Sequence, residues 1–294
     1  MKNVCLKVSV LSLTLIGCGV QTKKNESTLS ESGGGQASNV KLIQKTESFT
    51  EYSVDGNPLY LPNKEGTYPL VGFAMGTGAI STGLYGHFYK EIAKKGIAVT
   101  ADRNFMLNFD GNSLKLTMEK AKAAFPDRIT EGGWGTSGHS QGGASAINAA
   151  KLLSASSPGK VITTVGLQPA YAINFTDWFF GNKLDQSILA IGATNDQWGG
   201  ITDPNILKSK KRLVSVFMKG THETDTIEVL GQKSEKSEKQ AEFVANWFDC
   251  ELNQDVEACT LFTSCKEILQ FGPKDMWVQD ADANENQKCR VVKD

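Results

Sequence analysis

Histidine is scarce in this chain of 294 residues, which contains only three. So few imidazoles leave little room for a histidine-based metal centre, and the zinc-hydrolase sequence H-E-x-x-H does not occur. The chain also lacks an excess of one charge. Its 31 Lys and Arg oppose 32 Asp and Glu, so no overall positive field exists to attract nucleic acid. With 40% hydrophobic and 21% charged residues, the composition is typical of a soluble globular protein.

An apolar run too short to span a bilayer lies near the N-terminus, at residues 8–16, and follows two lysines. A basic start followed by such a run is typical of a secretion signal. The run ends in Leu-Ile-Gly-Cys at 15–18, which resembles the lipobox of bacterial lipoproteins. The resemblance implies that residues 1–17 are a signal peptide and that Cys18 carries lipid. An ordinary secretory signal that contains a Cys is the alternative.

The predicted location follows from this signal. Gly19 stands after the Cys, and resemblance to Gram-negative lipoproteins implies delivery to the outer membrane. We therefore expect a protein of the bacterial cell envelope, held on the lipid bilayer by acylation of Cys18, or a secreted protein under the alternative. Residues 18–46 are rich in Ser, Gly, Thr and Lys. They predict a flexible tether, followed by a folded domain at 47–294.

The cysteines agree with export from the cytoplasm. Cys5 would leave with the signal, and the four that remain after Cys18 lie within the last 45 residues. They are Cys250, Cys259, Cys265 and Cys289. Four Cys in an exported chain predict two disulfides, and the sequence leaves all three pairings open. A metal site is disfavoured, because they form no C-x-x-C pair and no His lies among them.

Strand-like and helix-like segments alternate along the body of the chain. The predicted strands are 69–75, 96–101, 161–167, 188–193 and 213–218, and the predicted helices are 81–95, 113–124, 144–153 and 236–249. This alternation predicts an α/β fold, in which a mostly parallel central sheet carries helices on both faces. Residues 250–294 lack the alternation and predict a C-terminal extension pinned by disulfides.

A candidate nucleophile lies between residues 132–138, which predict a further strand, and the predicted helix at 144–153. Residues 138–142, Gly-His-Ser-Gln-Gly, match the pattern G-x-S-x-G. In a nucleophile elbow this pattern places the Ser on a strained turn, and small neighbours let the chain pass closely. Ser140 is therefore the predicted nucleophile. A Gly-rich turn with no chemical role is the alternative.

A Ser hydroxyl needs a base to take its proton, and the three His are the candidates. His139 lies inside the elbow, with its side chain on the wrong side of the turn. His87 lies in a predicted helix before the elbow, where a surface or satisfied helix residue is the more frequent role. His222 follows the last predicted strand of the alternating body, where the order Ser, Asp, His requires the base. We predict that His222 is the base.

The orienting acid and the oxyanion donors are expected after other strands. Asp196 follows the strand at 188–193 and is the predicted acid, with Asp203 and Glu223 as alternatives. Two backbone N–H groups must hold the negative oxygen that forms during acyl transfer. The predicted donors are Gln141, which follows the nucleophile, and Thr77, in the Gly-Thr-Gly loop after the first strand of the alternating body.

Four stretches of the chain, GTGAISTGLYGHFYKEIAKKGIAVTAD, GTSGHSQGGASAINAA, ILAIGATND and MKGTHE, resemble a group of α/β-hydrolases. This group includes chlorophyllase-like esterases and bacterial cutinase-like polyester hydrolases, and the elbow residues are nearer to the chlorophyllase-like pattern. The resemblance implies the α/β-hydrolase fold, the triad of Ser140, Asp196 and His222, and the two oxyanion donors. It also implies that Tyr171 and Trp198 line the substrate site; ordinary packing is the alternative for both aromatics.

Together these features predict a carboxylic ester hydrolase that works through an acyl-enzyme, takes an ester substrate and needs neither cofactor nor metal. Two alternatives remain open. One is a non-catalytic envelope lipoprotein on a hydrolase scaffold. The other is an acyltransferase that passes the acyl group to an alcohol. The sequence leaves the acyl chain length, the alcohol, the use of polyesters and the oligomeric state open.

Overall fold

In the described part of the chain, ten strands form one central sheet. The computed structural model describes residues 39–104, 109–157, 159–170, 184–196, 209–222, 226, 234–278 and 289–293. The strands are β1 (Val40–Lys45), β2 (Phe49–Val54), β3 (Asn57–Pro62), β4 (Leu70–Ala74), β5 (Ala98–Asp102), β6 (Trp134–His139), β7 (Val161–Leu167), β8 (Ser187–Asn195), β9 (Arg212–Thr221) and β10 (Cys289–Lys293). Their order across the sheet is β1-β2-β3-β5-β4-β6-β7-β8-β9-β10.

The predicted mostly parallel sheet is confirmed. The strands β5, β4, β6, β7, β8 and β9 run parallel, and antiparallel pairs extend the sheet at both sides. From β4 the chain crosses to β5 on one side and then returns to β6 on the other. The crevice between the ends of β4 and β6 is where such a change of direction leaves room for a site.

Helices lie between the strands in sequence, as predicted. They are α1 (Gly86–Lys94), α2 (Asn112–Ala124), α3 (Gln141–Ser156), α4 (Glu235–Phe248), α5 (Val256–Thr260) and α6 (Cys265–Gln270). A short 3-10 helix (Thr82–Tyr85) precedes α1, and a π-helical turn (Asp249–Asn253) follows α4. Where the sequence predicted a strand or helix in the body, the observed element differs at its ends by at most three residues, except that α1 begins five residues later than the helix predicted at 81–95, after the 3-10 helix. Within the described ranges, no helix combines the length and apolar character that crossing a bilayer requires.

Two layers of apolar side chains cover the two faces of the sheet. Along β4, Val71 and Phe73 join the cluster under α1 and α4, whereas Leu70 and Ala74 join the cluster under α2 and α3. Successive strand residues point to opposite faces, so a strand covered on both sides must be apolar at every position. This is why residues 69–75 formed an unbroken apolar run in the sequence.

The predicted tether ends too late, because β1 lies inside the range 18–46. Residues 40–45 pair antiparallel with β2 as the edge of the sheet, and five of the six are exposed. Three of the six, Val40, Leu42 and Ile43, are apolar, but the polar residues on both sides of them gave the segment as a whole the composition of a linker. The next connection, from β2 to β3, is a two-residue turn in which Asp55 and Gly56 have φ of 50° and 87°. Asp-Gly between two strands is a strong sequence signal for such a hairpin.

The C-terminal extension is pinned by two disulfides, as predicted, and the structure settles their pairing. Cys250 bonds to Cys259, and Cys265 bonds to Cys289. The second bond ties α6 to β10, and β10 pairs antiparallel with β9. The extension therefore adds a strand to the main sheet, which its lack of alternation did not predict.

Candidate active site

The turn between β6 and α3 holds Ser140 in a strained conformation. Its φ is 57°, a region that side chains with a Cβ rarely occupy. Two hydrogen bonds hold the backbone there: the Ser140 N–H donates to the Leu167 carbonyl at 3.0 Å, and its carbonyl accepts from the Ala170 N–H at 2.9 Å. Leu167 ends β7 and Ala170 follows it three residues later, so the neighbouring strand and the chain that leaves it fix the turn.

The two glycines of the pattern are required by close packing. A Cβ on Gly138 would overlap the Gly142 carbonyl, and a Cβ on Gly142 would overlap the Ala74 carbonyl at the end of β4. Contacts this close explain why the motif has small residues on both sides of the Ser. They also bring the start of α3 against the end of β4, so that both sides of the crevice meet at Ser140.

Ser140, His222 and Asp196 lie in one hydrogen-bonded row. The Ser140 hydroxyl is 2.7 Å from His222 Nε2, and His222 Nδ1 is 2.9 Å from Asp196 Oδ1. Nδ1 donates to the carboxylate, which leaves Nε2 to accept from the hydroxyl. The side chains of His222 and Asp196 are 11% and 4% exposed, so the carboxylate lies deep and the imidazole reaches towards the surface. Asp196, the acid predicted from the sequence, is therefore bonded to His222.

The ends of two neighbouring strands hold the acid and the base. Asp196 follows β8 directly, and His222 follows β9. Thr194 and Gly220 exchange hydrogen bonds between these ends: the Gly220 N–H donates to Thr194 Oγ1 at 3.2 Å, and the hydroxyl lies 3.4 Å from the Gly220 carbonyl. The pairing continues to Asn195 and Thr221. The paired ends of β8 and β9 therefore hold the carboxylate and the imidazole at a fixed spacing.

The two predicted oxyanion donors are neighbours across the crevice. Thr77 lies in the loop after β4, and its hydroxyl hydrogen-bonds to the side-chain oxygen of Gln141. Gln141 is the first residue of α3, where helix N–H groups point out of the helix start and the helix dipole is positive. The structure therefore places both backbone segments beside Ser140, at the positive end of α3.

The second histidine of the site is His139, which is 2% exposed. Its ring lies 5.0 Å from that of His222, and burial lowers the pKa of its imidazole to about 4. Its Nε2 is 2.8 Å from the His222 carbonyl oxygen, and its Nδ1 is 3.0 Å from the Tyr85 hydroxyl. The sequence placed this ring on the far side of the turn from the nucleophile, but it did not predict these partners. His87, the third histidine, is also buried and packs against Phe88 in α1.

A buried cluster of amide and hydroxyl side chains, formed by Thr226, Gln168 and Gln240, was not predicted. Thr226 donates to Gln168 Oε1 at 2.9 Å, and Gln240 of α4 donates to Thr226 at 3.2 Å. Gln168 follows β7 with a φ of 38°, and its N–H donates to the Ile191 carbonyl at 2.7 Å. The cluster fixes the chain four residues after His222. No periodic or motif signal marks such residues in a sequence.

Several predicted residues lie outside the described part of the chain. They are Cys18, Tyr171, Trp198, Asp203 and Glu223. Within the described ranges, no group of three or more His, Cys, Asp or Glu side chains is arranged to hold a metal ion. No family model matches the chain, and no curated protein is significantly similar to it.

Proposed function

We propose that the protein is a serine hydrolase with an α/β-hydrolase fold that cleaves carboxylic esters. One observation carries the proposal: the Ser140 hydroxyl, the His222 imidazole and the Asp196 carboxylate form a single hydrogen-bonded row. Its position supports the same conclusion, because the row lies at the carboxyl ends of parallel strands and beside the change of direction between β4 and β6. The strained φ of Ser140 gives further support, since strain of this kind is typical of a nucleophile elbow.

The first half of the proposed reaction makes an acyl-enzyme. Ser140 Oγ attacks the ester carbonyl carbon while its proton passes to His222 Nε2. Asp196 accepts the Nδ1–H bond throughout and stabilises the imidazolium. The carbonyl oxygen becomes an oxyanion, which the N–H groups of Thr77 and Gln141 hold. The carbon–oxygen bond to the alcohol then breaks, and the alkoxide takes the proton from Nε2 as it leaves.

The second half frees the enzyme by the same route. A water molecule gives a proton to His222 Nε2 and attacks the acyl carbon. The Ser140 ester bond then breaks, and Oγ recovers its proton from the imidazolium. The products are a carboxylic acid and the unchanged enzyme, so the cycle needs no further reactant.

The test is the reactivity of Ser140 itself. We expect the purified protein to hydrolyse nitrophenyl esters and to be labelled by a fluorophosphonate probe, and we expect Ser140→Ala to lose the label and about 10⁶-fold in kcat. Ser137→Ala is the matched control, because it removes a buried hydroxyl from β6 three residues away. Turnover by Ser140→Ala equal to that of the wild type would refute the proposal. A wild type that neither labels nor hydrolyses any ester of a graded series would favour a non-catalytic role.

A further inference from the structure

A chain of three buried hydrogen bonds joins the separate parts of the proposed active site. The Gly76 N–H lies 3.2 Å from Tyr85 Oη, Tyr85 Oη lies 3.0 Å from His139 Nδ1, and His139 Nε2 lies 2.8 Å from the His222 carbonyl oxygen. We call these three bonds the Tyr85–His139 bridge. The bridge uses none of the three side chains of the Ser, His and Asp row, and it meets His222 only at its backbone carbonyl.

The direction of each bond follows from the groups at the ends. A carbonyl oxygen can only accept, so His139 Nε2 must carry a hydrogen. A buried imidazole with a pKa of about 4 is neutral near pH 7, so its Nδ1 has a lone pair and accepts. The Tyr85 hydroxyl therefore donates to Nδ1, and its oxygen accepts from the Gly76 N–H. Every donor in the bridge meets an acceptor, in one arrangement.

The bridge contacts three parts of the proposed active site whose spacing must stay fixed during the reaction. His139 is the last residue of β6 and immediately precedes Ser140. Gly76 immediately precedes Thr77, in the loop that would supply an oxyanion donor. The third contact is the backbone of His222 itself. The bridge therefore ties the nucleophile, the base and the oxyanion loop together beneath the row.

The packing around Gly76 shows how closely these parts fit. A Cβ at this position would lie 2.9 Å from His139 Nδ1, 3.2 Å from Tyr85 Oη and 3.3 Å from Ser140 Cβ. Tyr85 is fully buried, and its ring packs against Phe73 at a centroid distance of 5.1 Å. The side chains of the bridge are therefore fixed on all sides, as positioning residues of an active site must be.

We propose that Tyr85 and His139 are positioning residues, which hold the His222 imidazole and the Gly76–Thr77 loop in register with Ser140. The proposal rests on the proposed serine hydrolase function. Both halves of the reaction pass a proton through His222 Nε2. Displacement of the His222 imidazole therefore slows both halves. A displacement of about 1 Å can cost about 10²-fold in rate.

The test compares two tyrosines that lie four residues apart. Tyr85→Phe removes the hydroxyl of the bridge. Tyr89→Phe removes a hydroxyl from a ring that is equally buried and also packs on Phe73, but whose oxygen has no hydrogen-bond partner in the described structure. We expect Tyr85→Phe to lower kcat and the rate of fluorophosphonate labelling about tenfold, with KM changed less than twofold. Tyr89→Phe should keep both rates.

His139→Phe should lower both rates further, to about 100-fold, because it removes both side-chain bonds. Adding Tyr85→Phe to it should change little, since the bridge is already broken. A wild-type protein with no esterase activity or labelling would defeat the proposed function, and the positioning role would fall with it. An active wild type whose rates survive Tyr85→Phe would defeat the positioning role and leave the proposed function intact.

A spectroscopic measurement tests the bridge without any substrate. In protein labelled with ¹⁵N-histidine, the three imidazoles give few signals, and His139→Gln identifies the one that belongs to His139. We expect that ring to be the neutral form protonated at Nε2, with no titration between pH 8 and pH 6, and we expect Tyr85→Phe to shift its Nδ1 signal. A ring protonated at Nδ1, or one that titrates near the ordinary pKa of about 6.5, would contradict the bridge.

Discussion

Two imidazoles lie 5.0 Å apart in the site, and their surroundings give them different tasks. His222 bonds to a carboxylate through Nδ1 and to a hydroxyl through Nε2, so a positive charge on its ring has a partner. His139 bonds to a neutral hydroxyl and a carbonyl and is almost fully buried. A positive charge on its ring would therefore have no charged hydrogen-bond partner such as Asp196 provides for His222. One residue type therefore serves as the proposed base in one place and as a neutral bridge in the other.

The neutral state of His139 predicts how stability changes with pH. Its folded pKa of about 4 lies below the ordinary value of 6.5, so the unfolded chain binds a proton more readily between these values. The stabilisation from His139 is therefore complete above about pH 6.5 and is lost as the pH falls towards 4. We expect the free energy of unfolding to fall by roughly 2 kcal/mol more between pH 7 and pH 5 than it would with a group that does not titrate.

Urea denaturation at a series of pH values measures the contribution of His139 to the free energy of unfolding. His139→Gln serves as the reference, because an amide keeps donor and acceptor groups but does not titrate, and the carboxylates contribute equally to both proteins. The wild type should show the steeper loss below pH 6.5. If the free energy of unfolding changed with pH in the same way for both proteins, His139 would not make the predicted contribution.

Residues of the candidate site could be predicted from sequence only where they lie in a motif or directly after a predicted strand. Ser140 stands in a motif, and Asp196 and His222 each follow a predicted strand, which brings them to the same edge of a parallel sheet. The partners of His139 lie 54 and 83 positions away, and nothing periodic relates them to it. Tertiary packing alone brings such residues together, so the bridge had no sequence signal.

At the scale of elements, packing and helix propensity make opposite demands at the start of α3. Gly142 lies in the first turn of a helix, where Ala would ordinarily be the better residue by about 1 kcal/mol. Its Cα faces the Ala74 carbonyl so closely that a methyl group has no room. The approach of α3 to β4, which builds the crevice, therefore depends on a residue that helix propensity disfavours.

Gly142→Ala is expected to destabilise the protein by about 1–3 kcal/mol, because the added Cβ must push the end of β4 away from the elbow. Gly86→Ala is the matched control, since Gly86 begins α1 and a Cβ there meets no atom within 4 Å. That variant should be neutral or slightly stabilising. Urea denaturation of both variants measures the difference, and equal midpoints would show that the close approach at Gly142 has no energetic weight.

The elements themselves were predictable to the extent that burial shapes their composition. The strands and helices of the body were recognisable because each is apolar on the faces that the layers cover. The edge strand β1 was missed, since five of its six residues are exposed. β10 was missed because its place in the sheet depends on pairing with β9, and the C-terminal segment carries no alternating pattern of its own.

At the scale of the whole molecule, the C-terminal extension closes the side of the sheet that carries the base. β10 pairs with β9, and Cys289 at its start is bonded to Cys265 in α6. His222 follows the last residue of β9. The extension therefore supports the strand on which the proposed base rests, and its two disulfides should differ in what they contribute.

The longer disulfide loop is expected to stabilise the fold more. The chain-entropy relation gives about 3.4 kcal/mol for a bond that spans 24 residues and about 2.6 kcal/mol for one that spans 9. Replacing Cys265 and Cys289 by Ala should therefore lower the free energy of unfolding more than replacing Cys250 and Cys259. Denaturation under non-reducing conditions measures both pairs of substitutions. The opposite order would mean that chain entropy does not govern this extension.

The proposed anchoring of the whole chain to a membrane depends on one residue, Cys18, which lies outside the described structure. If Cys18 is acylated, the full-length protein expressed in a Gram-negative host should take up labelled palmitate and enter the detergent phase on partition. Cys18→Ser should abolish both. Cys5→Ser is the matched control, because Cys5 would leave with the signal peptide and its replacement should change neither.

The same variant tests whether the proposed esterase activity depends on the lipid anchor. The residues of the proposed site all follow residue 70, so Cys18→Ser protein recovered in the aqueous phase should hydrolyse soluble nitrophenyl esters at the wild-type rate. Uptake of palmitate by the Cys18→Ser protein would contradict lipid attachment at this position. Loss of palmitate in Cys5→Ser but not in Cys18→Ser would move the attachment to the other Cys, and the domain would then keep its signal segment.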